Sequence, residues 1–408
     1  MVDTSTSMGK GMLSIYRKFD NVRIGGYIQP QFQVAQTKGA KSFNGGDFPA
    51  NVNNRFMLRR GRIRFDYIHF AEKKGPSVQF VFQFDGSERG VFIRDFWGRF
   101  FENRYQLFAV TAGMFARPFS YELNLSSSDR ESPERGRMSQ ILMKTERDLG
   151  AMVSFEPRKK DHPLRHLKID LGFFNGQGLP ATADFDSHKD LITRIALKPT
   201  TLSKKIILST GISYLNGGFL QNTKYLYSIN DNASGKTFTV DSSLTNIGKT
   251  APRKYYGADA QLKIKNKAGY TELRAEFMTG TQTATLNNSE TPAVLLAGSE
   301  GYYTRKFNGA YFYLLQNIFT TRHQLAIKYD WYDPNTGVKG NDIGKAGTNL
   351  NAADIKYSTL GFGYIHYVNE NLKMVLWYDK ITNEKTQLAG FTTDVKDDVF
   401  TCRLQFRF

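Results

Sequence analysis

The sequence predicts an all-β fold: a transmembrane antiparallel β-barrel of about sixteen strands. Three observations predict it. Apolar and polar residues alternate with a period of two along the whole chain, which puts one kind on each face of a strand. Short turns alternate with long loops rich in Gly, Asn, Ser and Thr, as in barrels with one short and one long rim. Mean hydropathy is −0.44. No run of about 18 apolar residues exists, which excludes membrane-spanning helices but not a barrel, whose alternation hides its hydrophobicity.

The elements follow in order. Over 22–34, Val22, Ile24, Ile28, Phe32 and Val34 oppose Arg23, Tyr27, Gln29, Gln31 and Gln33. Over 57–67, Met57, Ile63, Phe65 and Tyr67 oppose Arg60, Arg62, Arg64 and Asp66. Over 77–85, Val78, Phe80, Phe82 and Phe84 oppose Gln79, Gln83 and Asp85. Weaker alternation marks strands near 91–101, 105–114, 147–155, 168–174, 189–197, 205–215 and 255–264. Leu273, Ala275 and Phe277 then oppose Glu272, Arg274 and Glu276. A strand near 308–316 follows, and Leu325, Ile327, Tyr329 and Trp331 oppose Gln324, Lys328, Asp330 and Tyr332. Strands near 356–366 and 372–381 precede the last, 399–408, in which Phe400, Cys402, Leu404, Phe406 and Phe408 oppose Thr401, Arg403, Gln405 and Arg407.

About sixteen strands closed into a ring enclose a channel too wide for side chains to fill. The apolar faces therefore point outward into lipid, and the arginines point into a wet lumen. Glu72-Lys73-Lys74-Gly75 and Val368-Asn369-Glu370-Asn371 read as tight turns. Segments 36–54, 115–146, 216–253, 279–307 and 333–355 read as long loops on one rim.

No composition shift divides the chain. We expect a polar segment at residues 1–20 on the periplasmic side and one barrel domain over 21–408. Residues 1–10 lack the apolar core of a signal peptide, so the expectation is a mature, exported chain. The net charge of +17 points to anionic partners. Lys and Arg are spread through strands rather than gathered in a tail, which argues against nucleic acid. One cysteine, Cys402, excludes a disulfide framework within the chain.

Two charged constellations stand out. Arg60, Arg62 and Arg64 lie two residues apart on one strand face, roughly 6–7 Å between neighbours. They can form a ladder that passes anions from site to site, or a structural network neutralised by Asp66 and Asp85. The third long loop, 115–146, is too polar for lipid and rich in charge. It is expected to fold into the lumen and narrow the path, with Arg117, Arg130, Arg135 and Arg137 facing it. The alternative is an exposed loop with those arginines paired to Glu122, Asp129, Glu131 and Glu134. Arg23, Arg274 and Arg403 fall on the same polar faces and join the candidate pore lining.

Ile24-Gly25-Gly26-Tyr27-Ile28-Gln29, Leu58-Arg59-Arg60-Gly61-Arg62, and Gly113 followed by Pro118-Phe119-Ser120-Tyr121-Glu122, Ser126-Ser127 and Glu134-Arg135 resemble the phosphate-selective porin O and P family. The resemblance is clearest over 9–155. It implies a sixteen-stranded outer-membrane channel, usually trimeric, with a basic lining and passive diffusion of small, phosphate-like anions. By that resemblance Arg60 and Arg62 match the family's second-strand arginines and Arg135 its third-loop arginine. The implied surroundings are outer-membrane lipid and lipopolysaccharide.

Two other uses of such a barrel remain open on sequence alone. One is a docking platform for outer-membrane lipoproteins or a secretion complex, and the other an outer-membrane hydrolase. No nucleophile elbow or phosphate-cradling glycine loop occurs, and none of the six histidines has metal-ligand spacing. No catalytic residue, cofactor or metal is therefore expected.

Overall fold

Alternation fixes which way each strand faces. In β1 (Val22–Ala35), Tyr27, Gln29, Gln31 and Gln33 are buried, while Ile24, Ile28 and Val34 are exposed. The other strands follow suit, so Phe80, Phe100, Phe173, Ile212, Phe277, Leu325 and Phe400 form an outward apolar band. The protein was studied as a computed structural model, which describes residues 21–71, 75–179, 181, 183–233 and 235–408. The proposed 1–20 segment, and most of the turn at 72–75, lie outside the described residues.

After β1 come β2 (Asn54–Ala71), β3 (Gly75–Ser87), β4 (Gly90–Phe101), β5 (Phe108–Ala116), β6 (Arg147–Phe155), β7 (Leu167–Phe174), β8 (Asp190–Ser203) and β9 (Ile206–Leu220). A hairpin, β10 (Leu226–Asn232) and β11 (Gly235–Asp241), interrupts the series. Then follow β12 (Thr250–Asn266), β13 (Gly269–Ala284), β14 (Tyr302–Ile318), β15 (Thr320–Asp333), β16 (Tyr357–Tyr367), β17 (Leu372–Asn383) and β18 (Val399–Arg407).

Sixteen of these strands close one antiparallel barrel. β9 pairs directly with β12, and β18 pairs with both β17 and β1. The hairpin stands on the rim, where β10 runs parallel to the start of β14. Its residues lie within 216–253, which by sequence alone reads as one long loop. The long-loop rim also contains one exception to the expected alternation: β3 and β4 are joined by a turn of only residues 88–89.

Two of the register shifts between strands bear on the lumen. Ile28 pairs with Gly61 and Pro30 with Leu58, so Arg59 and Arg60 together oppose Gln29. Pro30 cannot donate a ladder hydrogen bond, which suits it to this irregular position. In β4 the pairs Gln83–Asp95 and Phe84–Ile93 leave Arg94 as the extra residue. A bulge inverts the face of every residue beyond it. Met57, expected outward beside Ile63, consequently faces in, where its sulfur accepts a hydrogen bond from Gln31 Nε2 at 3.1 Å.

The seam is tight. Gly26 N–H donates to the Phe408 carbonyl at 3.2 Å, and Phe408 N–H donates back at 3.0 Å. A Cβ at Gly26 would stand 2.3 Å from the Arg62 carbonyl oxygen and 2.7 Å from the Phe408 ring. Gly26→Val is therefore expected to destabilise closure by about 3 kcal/mol. Loss of the compact, heat-sensitive band in unheated gels would register it; an unchanged folded fraction would contradict it.

Candidate functional site

The site is built by residues 117–146, between β5 and β6. Arg117 N–H donates to the Glu146 carbonyl at 3.0 Å, so the segment starts and ends at one point on the wall. Ser120, at φ +69°, turns the chain into a short helix, α1 (Tyr121–Asn124), and caps it by accepting from Leu123 N–H. A second helix, α2 (Arg137–Leu142), begins at Gly136. The Glu122 carboxylate accepts from Gly136 N–H at 3.0 Å, at the open start of the helix, and from the Ser139 hydroxyl at 2.6 Å, which ties the two helices together.

One side of this segment is apolar. Phe119, Leu123, Met138, Ile141, Leu142 and Met143 pack against Phe115, Met152, Phe174, Ile192, Leu215, Tyr255, Met278, Phe307 and Tyr332. Those nine partners come one from each of the consecutive wall strands β5 to β9 and β12 to β15. A dry core thus fills one side of the lumen and leaves the wall near β1 to β4 and β18 polar.

The other side reaches that polar wall. The Glu134 carboxylate accepts from Arg59 at 2.8 Å, Arg60 at 2.6 Å and Arg403 at 3.0 Å. Glu131 accepts from Arg274 at 2.7 and 3.0 Å. Ser127 Oγ meets Tyr27 and Arg62 at 2.6 and 2.8 Å, and Lys373 donates to the Ser128 carbonyl at 2.6 Å. Glu146 accepts from Arg147 at 2.7 Å, Arg135 at 3.1 Å and Arg94. Burial opposes the charge on Glu134 and Glu146. The surrounding guanidiniums outweigh it and hold both carboxyls well below the usual range.

Two cavities flank the segment. The outer, on the long-loop side, has about 1010 Å³ and is lined by Phe43, Arg59, Arg60, Arg89, Arg130, Glu134, Arg137 and Glu146 among others. The inner, on the short-turn side, has about 440 Å³ and is lined by Arg23, Arg64, Ser128, Arg147 and Arg407. Arg62, Arg94 and Arg135 line both and stand between the two.

The candidate arginines therefore divide into groups. Arg62 and Arg135 stand at the junction. Arg60, Arg130 and Arg137 line the outer cavity, and Arg23 and Arg64 the inner. Arg130 is buried with Nε and Nη1 unpartnered, and Arg137 lies over the Phe43 and Tyr357 rings at 4.5 and 3.5 Å. Arg117, Arg274 and Arg403 line neither cavity. Arg274 and Arg403 are tied to Glu131 and Glu134 because the segment lies directly over them, whereas Arg117, at the segment's own start, faces Asp148 of β6. Arg62 and Arg64 also pair with Asp85 and Asp66, as the network alternative anticipated, but Arg60 pairs with Glu134. Arg403 sits beside Gln31 of β1.

Four residues of this candidate site are not among those singled out from the sequence: Arg59, Arg94, Arg147 and Glu146. The signal for the first two was a doubled polar residue, Arg59-Arg60 and Arg94-Asp95, inside an alternating strand. Among the described residues, no group of three or more His, Cys, Asp or Glu side chains could hold a metal ion.

No protein-family model and no curated protein matches the chain. Solved structures do match it over most of its length. The outer-membrane channel DcaP of Acinetobacter baumannii is 13% identical, with a TM-score of 0.53 over 95% of this chain and 97% of that one. An anion-selective porin from Comamonas acidovorans is 10% identical, with a TM-score of 0.55 over 95% and 99%. OprB of Pseudomonas putida is 10% identical, with a TM-score of 0.58 over 98% and 97%. At these identities the likeness concerns the fold: this chain has the sixteen-stranded barrel fold of outer-membrane porins.

Proposed function

We propose that the protein is a porin of the bacterial outer membrane, a passive channel for small solutes that prefers anions. The observation that carries this reading is the junction between the two cavities, where Arg62, Arg94 and Arg135 stand together. A solute passing from the outer cavity to the inner meets guanidinium groups on both sides. Partial pairing with Asp85 and Glu146 keeps each interaction weak, and weak serial binding is what conduction requires. The outward apolar band supports a membrane setting, and the fold neighbours support a channel. Phosphate-like solutes and a trimeric assembly belong to the same proposal and rest on the motif resemblance over 9–155.

Liposome swelling tests it. Proteoliposomes should admit a small sugar acid faster than its neutral polyol of equal size, by about threefold or more. Equal rates, or a faster polyol, would refute the anion preference. No swelling with either would refute the channel.

A further inference from the structure

The junction already contains an anion, and it belongs to the chain. Glu146 is the last residue before β6, and its carboxylate is buried. It accepts hydrogen bonds from Arg135 at 3.1 Å, Arg147 at 2.7 Å and Arg94. Arg94 and Arg135 line both cavities; Arg147 lines the inner one and Glu146 the outer. The group therefore sits across the boundary between them. The other loop carboxylates do not: Glu134 is held by Arg59, Arg60 and Arg403, and Glu131 by Arg274. Asp85 faces Arg62 and Arg94 at 2.9 and 3.5 Å, and Asp95 faces Arg147 at 3.2 Å. Four guanidiniums (Arg62, Arg94, Arg135, Arg147) thus meet three carboxylates (Asp85, Asp95, Glu146), and among these three only Glu146 is carried by the loop segment rather than by a wall strand.

We propose that this arginine cage is a carboxylate-binding site that Glu146 keeps filled. Glu146 thereby sets how strongly the channel prefers anions, and small organic carboxylates are the solutes fitted to take its place. The inference rests on the reading of the barrel as a conducting, anion-preferring pore. A tethered carboxylate competes at the effective concentration its short tether imposes. A visiting carboxylate is therefore exchanged quickly instead of trapped, which favours flux over storage.

Planar-bilayer recordings of the full chain test the proposal, with Glu146→Gln as an isosteric neutral replacement and Glu146→Asp as a charge-keeping control. Glu146→Gln should raise the chloride-to-potassium permeability ratio by about threefold, the scale of one partly screened unit charge at the narrowing. Millimolar acetate should then reduce its chloride current, while the wild type and Glu146→Asp remain close to each other and insensitive. An unchanged or lower ratio in Glu146→Gln would overturn the proposal. So would block by inorganic phosphate without block by acetate. A Glu146→Asp shift as large as that of Glu146→Gln would also overturn it, because the effect would then come from a displaced loop. A wild-type channel that conducts without anion preference defeats the functional reading, yet leaves the shift between wild type and Glu146→Gln to be judged separately.

Discussion

Glu134→Ala is expected to release residues 117–146 from the polar wall and destabilise the seated state by about 3–5 kcal/mol, the usual range for breaking a buried ion pair. Three guanidiniums share this carboxylate at 2.6–3.0 Å. Arg403 would keep Gln31 and the Pro133 carbonyl, and Arg60 would keep Gln29, but Arg59 would lose its acceptor. Faster proteolysis within 117–146 and a higher single-channel conductance should appear together. Wild-type resistance to protease would contradict the account. The same pairs predict the pH response. Because the folded-state value of Glu134 is depressed, its stabilising contribution is fully present above the ordinary carboxylate range near 4.5. It declines as pH falls below that range and is gone once pH has fallen through the lower, native value. The segment should therefore stay protected at pH 5 and loosen only in stronger acid.

Phe119→Ala is the second large effect. Phe119 is fully buried inside the barrel, its ring 6.1 Å from that of Tyr255 and against Gly257. Truncation leaves a cavity that the wall cannot collapse to fill, at about 3–5 kcal/mol. Phe56→Ala removes the same side chain from the outward face, where Phe56 is 85% exposed to the surroundings of the barrel; no cavity is left behind, so it should cost less, about 1–2 kcal/mol of lost apolar contact. Thermal unfolding of the two variants in one detergent compares them directly. Equal shifts would mean that the lumen core contributes no more than the outward face.

The contrast between these two phenylalanines shows what the sequence could reveal. Strand positions and outward faces were legible because lipid demands an apolar residue at every second position, a local rule visible in Ile24-Ile28 or Leu325-Ile327. The lumen core was not. Nine wall strands contribute one apolar residue each, such as Ile192 between Asp190 and Arg194, or Met278 beyond Glu276. On an otherwise polar face one such residue carries no period. The pairings of Glu131, Glu134 and Glu146 were illegible for a different reason. They depend on where the loop comes to rest on the wall: Glu131 meets Arg274 of β13, Glu134 meets Arg403 of β18 and Glu146 meets Arg94 of β4, contacts that no strand period encodes. Arg60, Arg62 and Arg135 could be recognised as a basic set. That Arg274 and Arg403 would be occupied by loop carboxylates could not. The hairpin at β10 and β11 was hidden by its polar strands, which belong to the rim and face no lipid.

The central claim is that solutes pass between the loop segment and an arginine-lined wall, and that this wall favours anions. The zero-current potential of the wild-type channel across a tenfold KCl gradient tests it most directly. The account predicts an open channel whose potential takes the sign set by chloride. A potential of the sign set by potassium, or a folded barrel that carries no current, would contradict it.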